Sequence, residues 1–338
     1  MAGATLTTLA ELIVKLYAGP WVDALHKETF LLVRLGERGN VKTGRGNGIR
    51  WPVRYAGNTS ASSYGEGEAA AGAGNQAAKE AYLAWRYNRV EVAVSGQALA
   101  VGANAGMVVD PLRFELDNGL LDMRSNINTQ LMADGTGNSG KDITGLRAAI
   151  ADTGTYAGLD RSTYTWWKAY VNANGGTPRN LTEELMRDVK KTILETRGGR
   201  VTAIYTGSAQ WYKYGDLLRQ ERRQFIPVTL GQVQGPGGLT GGYQALDFEG
   251  IPLILVPGYP TGRMDFVDEN ILEYHMLPIT NENAEIAGLR NVVAVPGQPG
   301  FGILILGTTS DAVGFWVIHY SQLVCRNPYR MGSLQDLA

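Results

Sequence analysis

The stretch "AGNTSASSYGEGEAAAGAGNQAAKEA", residues 56–81, holds one large apolar side chain, Tyr64, and separates two segments that alternate apolar with polar residues. Before it, Ile49, Trp51, Val53 and Tyr55 alternate with Arg50 and Arg54, the pattern of a half-buried strand. Pro52 lacks the N–H that a central strand needs, so it pushes that strand toward a sheet edge. After it, Leu83, Trp85 and Tyr87 alternate with Arg86 and Asn88; Val90, Val92 and Val94 then continue in the opposite phase, which predicts a bulge or bend near Arg89. A hairpin connection this long is uncommon in a compact domain. Arms of ~12 residues at ~3.3 Å each would reach ~40 Å, whereas a compact chain of this length has a radius of gyration of ~20 Å. The hairpin should therefore protrude, and because an isolated hairpin is marginal in water it needs a neighbour to lie on.

Downstream, Val109, Leu112, Leu116, Leu120, Met123, Ile127 and Leu131 recur at steps of three and four, which is a helix period. Asp110 suits the N-cap, Pro111 the first turn, and Asp134-Gly135 the stop. The segment that follows, "GTGNSGKD" at 135–142, has the glycine and lysine spacing of a phosphate-binding loop, with Lys141 in the lysine position. Two features oppose that function. Asp142 puts a negative charge where Ser or Thr would hold magnesium, and a helix rather than a strand leads in. A glycine turn leaving a long helix is the expected structure.

A second helix is predicted from Leu181 to Arg197, capped by Asn180 with Glu183 three residues on and ended by Gly198-Gly199. "VTAIYT" reads as a strand, a helix begins near Ser208, and "GQVQGPGGLTGG" reads as a glycine-rich surface loop. From Tyr243 onward, strands and turns dominate. Residues 5–35 read as one or two short helices broken at Gly19-Pro20. Runs of helices and runs of strands, without strict alternation, indicate an α+β architecture.

Composition narrows function. A formal charge of −1 and a pI near 6.3 oppose a dedicated nucleic-acid binder. The exception is local: Arg34, Arg38, Lys42, Arg45, Arg50 and Arg54 face only Glu37, a bias suited to acidic protein or to nucleic-acid phosphate. Cys325, alone, excludes an internal disulfide and reads as a packed small hydrophobe. The N-terminal Leu6, Leu9, Ile13 and Leu16 are interrupted by Glu11 and Lys15, unlike a signal peptide, and the apolar runs "LILV" and "ILIL" are too short to span a bilayer. Glycine, 44 of 338 residues, is about twice the usual share and implies many turns.

No catalytic constellation emerges. His26, His275 and His319 have no metal-ligand spacing, and neither HExxH, CxxC nor GxSxG occurs. Asp265, Asp268 and Glu269 could hold a hard cation but read better as a turn after a strand. "GRGNG" at 44–48 reads as a flexible entry to the hairpin, and Trp166 and Trp167 as packing residues. No cofactor, metal or catalytic residue is expected.

The order of these elements resembles a tailed-bacteriophage major capsid protein of the Hong Kong 97 fold. The resemblance rests on the strand pair Ile49 to Tyr55 and Tyr82 to Val94, the helix from Asp110 to Met132, "DGTGNSGKDITGLRAAI" after it, "FEGIPLILVPGYPTGRMDFVDENIL", and the closing "LVCRNPYRMGSL". It implies an N-terminal arm (1–43), an extended loop hairpin (44–95), a peripheral domain (96–164) with a spine helix at 110–132, an axial domain (165–290), and strands returning to the peripheral domain (291–338). It further implies pentamers and hexamers in an icosahedral shell around double-stranded DNA, with scaffolding, portal and decoration proteins as further partners and no membrane. Assembly would occur in the host cytoplasm and the product would be the virion. Arg50, Trp51, Arg54, Tyr64, Glu66, Glu68, Trp85 and Arg86 are the inter-subunit contacts expected on that reading. Relatives that carry a long N-terminal scaffolding segment differ from this chain, which starts almost at the arm; a separate scaffold or a trimmed chain is the expectation. Those that cross-link through a loop lysine differ too, since none lies between Gly57 and Ala78. The alternatives are an encapsulin-like compartment with the same fold and a phosphate-binding enzyme using Lys141.

Overall fold

The computed structural model describes residues 30–61, 63–69, 77–97, 111–220, 245–279, 292–294, 300–308 and 311–338. The expected helices before residue 30, the Asp110 cap and the glycine-rich loop at 231–242 lie outside them. Elements in chain order are α1 (Phe30–Glu37), β1 (Val41–Thr43), β2 (Ile49–Ala56), β3 (Ala77–Leu83), β4 (Arg86–Ser95), α2 (Pro111–Met132), β5 (Tyr170–Asn172), α3 (Glu183–Lys191), β6 (Ala203–Thr206), α4 (Ser208–Gln220), β7 (Ala245–Phe248), β8 (Ile251–Leu255), β9 (Met264–Val267), β10 (Leu272–Met276), β11 (Val292–Ala294), β12 (Phe301–Thr308), β13 (Ala312–Cys325) and β14 (Gly332–Leu334).

One six-stranded sheet is organised by the long strand β13. Its first part pairs with β4 from Ala312↔Ser95 to Ser321↔Arg86, its last part pairs with β10, and β12 joins it to β11. The helix α2 crosses this sheet at Gly119, where an added Cβ would stand 2.7 Å from Val92 Cγ2 and 3.3 Å from a Val317 methyl. Leu120, Met123, Ile127 and Leu131 are buried at the helix period read from the sequence. Each such side chain removed from water stabilises the fold by roughly 1.5–3 kcal/mol. The short helix α1 lies against α2, with the Leu31 N–H donating to Asn128 Oδ1 at 3.1 Å.

The second sheet runs β5-β14-β9-β6-β8-β7 and forms a separate apolar cluster with α3 and α4. Thr182, not Asn180, caps α3, its hydroxyl accepting from Leu185 N at 3.3 Å. Glu183 is thereby the first helical residue rather than the capping-box partner. The helix passes into a π-turn, Thr192–Thr196, before Gly198 turns at φ +59°.

Strand pairing redistributes three expected blocks. Arg86–Ser95 was read as the hairpin's outgoing arm but pairs with β13 in the body. The break is at Ala84–Trp85 and not near Arg89, because β4 keeps its register with β13 without a bulge. The apparent change of phase arises because aromatic Tyr87 is exposed while Asn88 is buried, accepting from Gln130 Nε2 at 2.9 Å. Likewise β10, expected in the axial block, belongs to the first sheet, and β14, expected to return to the peripheral block, belongs to the second. Alternation marks a strand but not its partner across long sequence separation.

Candidate assembly surface

The hairpin has two chemically distinct faces. Ile49, Trp51, Ala81 and Leu83 are buried, and Val53 packs partly on the main core. The cross-strand pairs Ile49↔Leu83, Trp51↔Ala81 and Val53↔Lys79 put these residues on one face. Arg50, Pro52, Arg54 and Glu80 occupy the opposite face and are exposed. Arg50 Nη1 bonds Glu80 Oε1 at 2.9 Å, and the guanidinium lies 4.9 Å from the centroid of the Tyr82 ring. Arg54 Nε donates to the Ala56 carbonyl at 3.3 Å.

This corrects two expectations. The paired arms are seven and eight residues, so at ~3.3 Å per residue they span ~26 Å rather than ~40 Å. They rest on their own subunit through Ile49, Trp51, Ala81 and Leu83. Trp51 and Trp85, expected at a subunit contact, are 3% and 4% exposed and lie inside the chain. Trp51 Nε1 donates to the Arg326 carbonyl at 3.2 Å and Trp85 Nε1 to the Gly46 carbonyl at 2.9 Å. A Cβ at Gly44 would overlap the Trp85 indole, so this glycine permits the closure of the base. Arg86 is half-buried, with no hydrogen-bond partner for its Nε.

Past the ladder, every described residue from Gly57 to Ala69 is exposed except half-buried Ser60. Tyr64 is 84% exposed. Glu66 and Glu68 follow it, and Glu68 Oε2 accepts from Gly65 N at 2.7 Å. An exposed tyrosine with two carboxylates suits a partner surface that is apolar at its centre and basic at its rim.

The basic stretch is not one surface. Arg34 is 5% exposed, and its Nε lies 2.6 Å from Glu269 Oε1; Arg38 lies 2.6 Å from the other oxygen. Glu269 is fully buried and also accepts from Tyr205 OH at 2.6 Å. This knot ties α1 to both sheets, and breaking one partner would leave a buried charge uncompensated. Of the six basic residues, Lys42, Arg45, Arg50 and Arg54 remain exposed on the surface.

The acidic cluster is only partly a turn. Asp268 caps the short helical turn after β9, while Asp265 is buried between Arg263 and the Tyr259 hydroxyl. Among the described residues, no three His, Cys, Asp or Glu side chains gather as metal ligands. His319 is buried, donating from Nδ1 to the Gly300 carbonyl at 2.7 Å while Nε2 accepts from Tyr274 OH at 2.6 Å. Its pKa is lowered to about 4 by burial, partly offset by the Gly300 bond.

The loop after α2 is a tight turn, with Asn138 and Ser139 in the left-handed region at φ 48° and 57°. A Cβ at Gly137 would meet the Asp142 carboxylate, so that carboxylate stands over the backbone that a phosphate would approach. Lys141 is exposed. Trp167 is fully buried, whereas Trp166 stacks on Tyr55 of the hairpin with ring centroids 4.8 Å apart and planes 4° from parallel. The sequence showed both aromatics but nothing that paired them. Among the described residues no helix is long and apolar enough to cross a membrane.

The described residues thus form two sheets, a long helix across one of them, and a hairpin exposed beyond its ladder. The family model for the SU10 major capsid protein matches residues 27–286. The chain belongs to the SU10 major capsid protein family. Its fold is the Hong Kong 97-like capsid fold, and it serves as the major capsid protein of a bacteriophage, a subunit that assembles with its own copies into the capsid of the virion. The family is structural rather than enzymatic.

Solved structures agree on the fold. The chain in a cyanophage A-1(L) capsid asymmetric unit superposes with a TM-score of 0.73 at 18% identity, over 98% of each chain. The capsid of a native GTA particle gives 0.57 at 11% identity over 100% of each. The holo-SrpI encapsulin complex of Synechococcus elongatus PCC 7942 gives 0.57 at 10% identity, over 100% of this capsid protein and 96% of that chain. No curated protein matches the sequence.

Proposed function

We propose that this capsid protein forms pentamers and hexamers of an icosahedral head enclosing double-stranded DNA, and that the hairpin makes the contact between neighbours. The supporting observation is the segment 57–69, which buries almost nothing in its own subunit and carries Tyr64 at 84% exposure. Arg50, Arg54, Tyr64, Glu66 and Glu68 form the contact set; Trp51 and Trp85 support it from within. Lys42 and Arg45, exposed just before the hairpin, face acidic protein or packaged DNA. A scaffold guides closure, a portal occupies one vertex, decoration proteins bind outside, and assembly takes place in the host cytoplasm.

Electron microscopy of the purified protein, alone and co-expressed with neighbouring genes, tests this reading. Closed shells or capsomer rings are expected. Arg50→Glu with Arg54→Glu should abolish them while leaving a folded subunit, and unchanged assembly in that variant would refute the contact set. The encapsulin likeness makes content the second readout: nuclease-protected DNA supports the head, and enclosed protein cargo without DNA would favour a compartment.

A further inference from the structure

The hairpin ladder slips between Arg54 and Ala56, leaving Tyr55 as an extra, unpaired residue on β2. A bulge re-aims a side chain and ends regular pairing. Here the side chain is the one that stacks, nearly parallel, on Trp166. Trp166 is braced by Tyr164 at 5.5 Å and Trp167 at 5.7 Å, and the partner strand contributes Lys79, 5.7 Å from the Tyr164 centroid. The loop that presents this cluster is held by Arg161, 2% exposed, which donates to the carbonyls of Ala148, Ala149 and Thr153 at 2.7, 2.8 and 3.0 Å. The receiving side is thus rigid. Each arm makes one such contact near the point where the hairpin leaves the body, and Tyr55 is still 40% exposed there.

We propose that Tyr55 and Trp166 are positioning residues for shell assembly: their stack docks the hairpin onto its own subunit before a neighbour arrives. This rests on the hairpin being the neighbour contact. Trp51, Ala81 and Leu83 anchor the base of the ladder in the core, but from Val53 to Ala56 and Ala77 to Lys79 it is half-buried or exposed, where a two-stranded ladder is marginal by itself. A binding segment that is only fractionally in its competent arrangement binds more weakly by that fraction. A surface aromatic pair shifts such an equilibrium by about two- to ten-fold. The cluster therefore places the ordering of the arms in the free subunit instead of at the contact.

Hydrogen–deuterium exchange of the unassembled subunit, with the threshold concentration for assembly measured on the same samples, tests the proposal. In Tyr55→Ala, amide exchange across residues 53–56 and 77–79 should rise about two- to ten-fold. The melting temperature of the body should hold, the threshold should rise by a similar factor, and Tyr55→Phe should restore both. Unchanged exchange in Tyr55→Ala overturns the docking role. A fall in melting temperature without a local rise in exchange reduces the stack to ordinary stabilisation and overturns it too. Raised exchange with an unchanged threshold would overturn the positioning role, whereas the hairpin contact itself stands or falls with the Arg50→Glu, Arg54→Glu variant. Trp166→Ala should raise exchange over the same residues as Tyr55→Ala; if it fails to fold, the two Tyr55 variants decide.

Discussion

The near and far parts of one hairpin differ as a core differs from a surface. From Ile49 to Ala56, large side chains alternate, one face joins the main core, and Trp51 closes a hydrogen bond to the Arg326 carbonyl. From Gly57 to Ala69 the chain is Gly, Ser, Ala, Glu, Asn58 and Thr59 around one tyrosine, and its described residues bury almost nothing. Order in the near part follows from burial within the subunit; on the proposed reading, the far part gains its burial from a neighbouring copy. Stability measurements should therefore respond to the first and assembly measurements to the second.

The largest expected break is Trp51→Ala. It removes a 3% exposed indole and its bond to Arg326, and should lower unfolding free energy by about 3–5 kcal/mol in a denaturant titration. A loss under about 1 kcal/mol would show that the near part is not core.

Acid should weaken the body next. The unfolded chain protonates His319 near the ordinary value of about 6.5, whereas the folded state holds it neutral until about 4. Between those values the unfolded state binds the extra proton, so stability falls as pH falls through that window. At its lower end the contribution is about 3 kcal/mol. Comparing stability at pH 7 and pH 4 in wild type and His319→Gln checks this, and the variant should show the shallower slope.

A smaller effect belongs to Arg50→Ala. Its ion pair with Glu80 is 66% and 56% exposed, so solvent screening limits the change to under about 1 kcal/mol. The assembly threshold should move more than the melting temperature. Smallest for the fold is Tyr64→Ala, within about 0.5 kcal/mol of wild type, yet light scattering should show a raised assembly threshold. Loss of stability in that variant would mean that the far part packs on its own subunit after all.

Much of the architecture was legible in the chain. Leu120, Met123, Ile127 and Leu131 fall at the helix period and are buried there, and Asp142 argued against a phosphate loop before its carboxylate was placed over Gly137. The contact surface was less legible. Arg34 and Arg38 read as part of a basic face, yet Glu269, far along the chain, takes them into a buried knot. Trp51 and Trp85 read as contact residues because a strand at a sheet edge looks the same whether its apolar face meets a neighbour or its own body. Tyr55 showed its strand phase but not its partner, since Trp166 is supplied by a distant loop.

By itself the sequence determined the periodicities, the turns and a hairpin too polar at its far end to be buried, because these depend on residues close together along the chain. Tertiary structure alone decided which strands share a sheet, which charges are neutralised, and how much of the hairpin is held by its own subunit. Those outcomes depend on contacts between residues far apart in sequence, where register, burial and charge pairing are settled together.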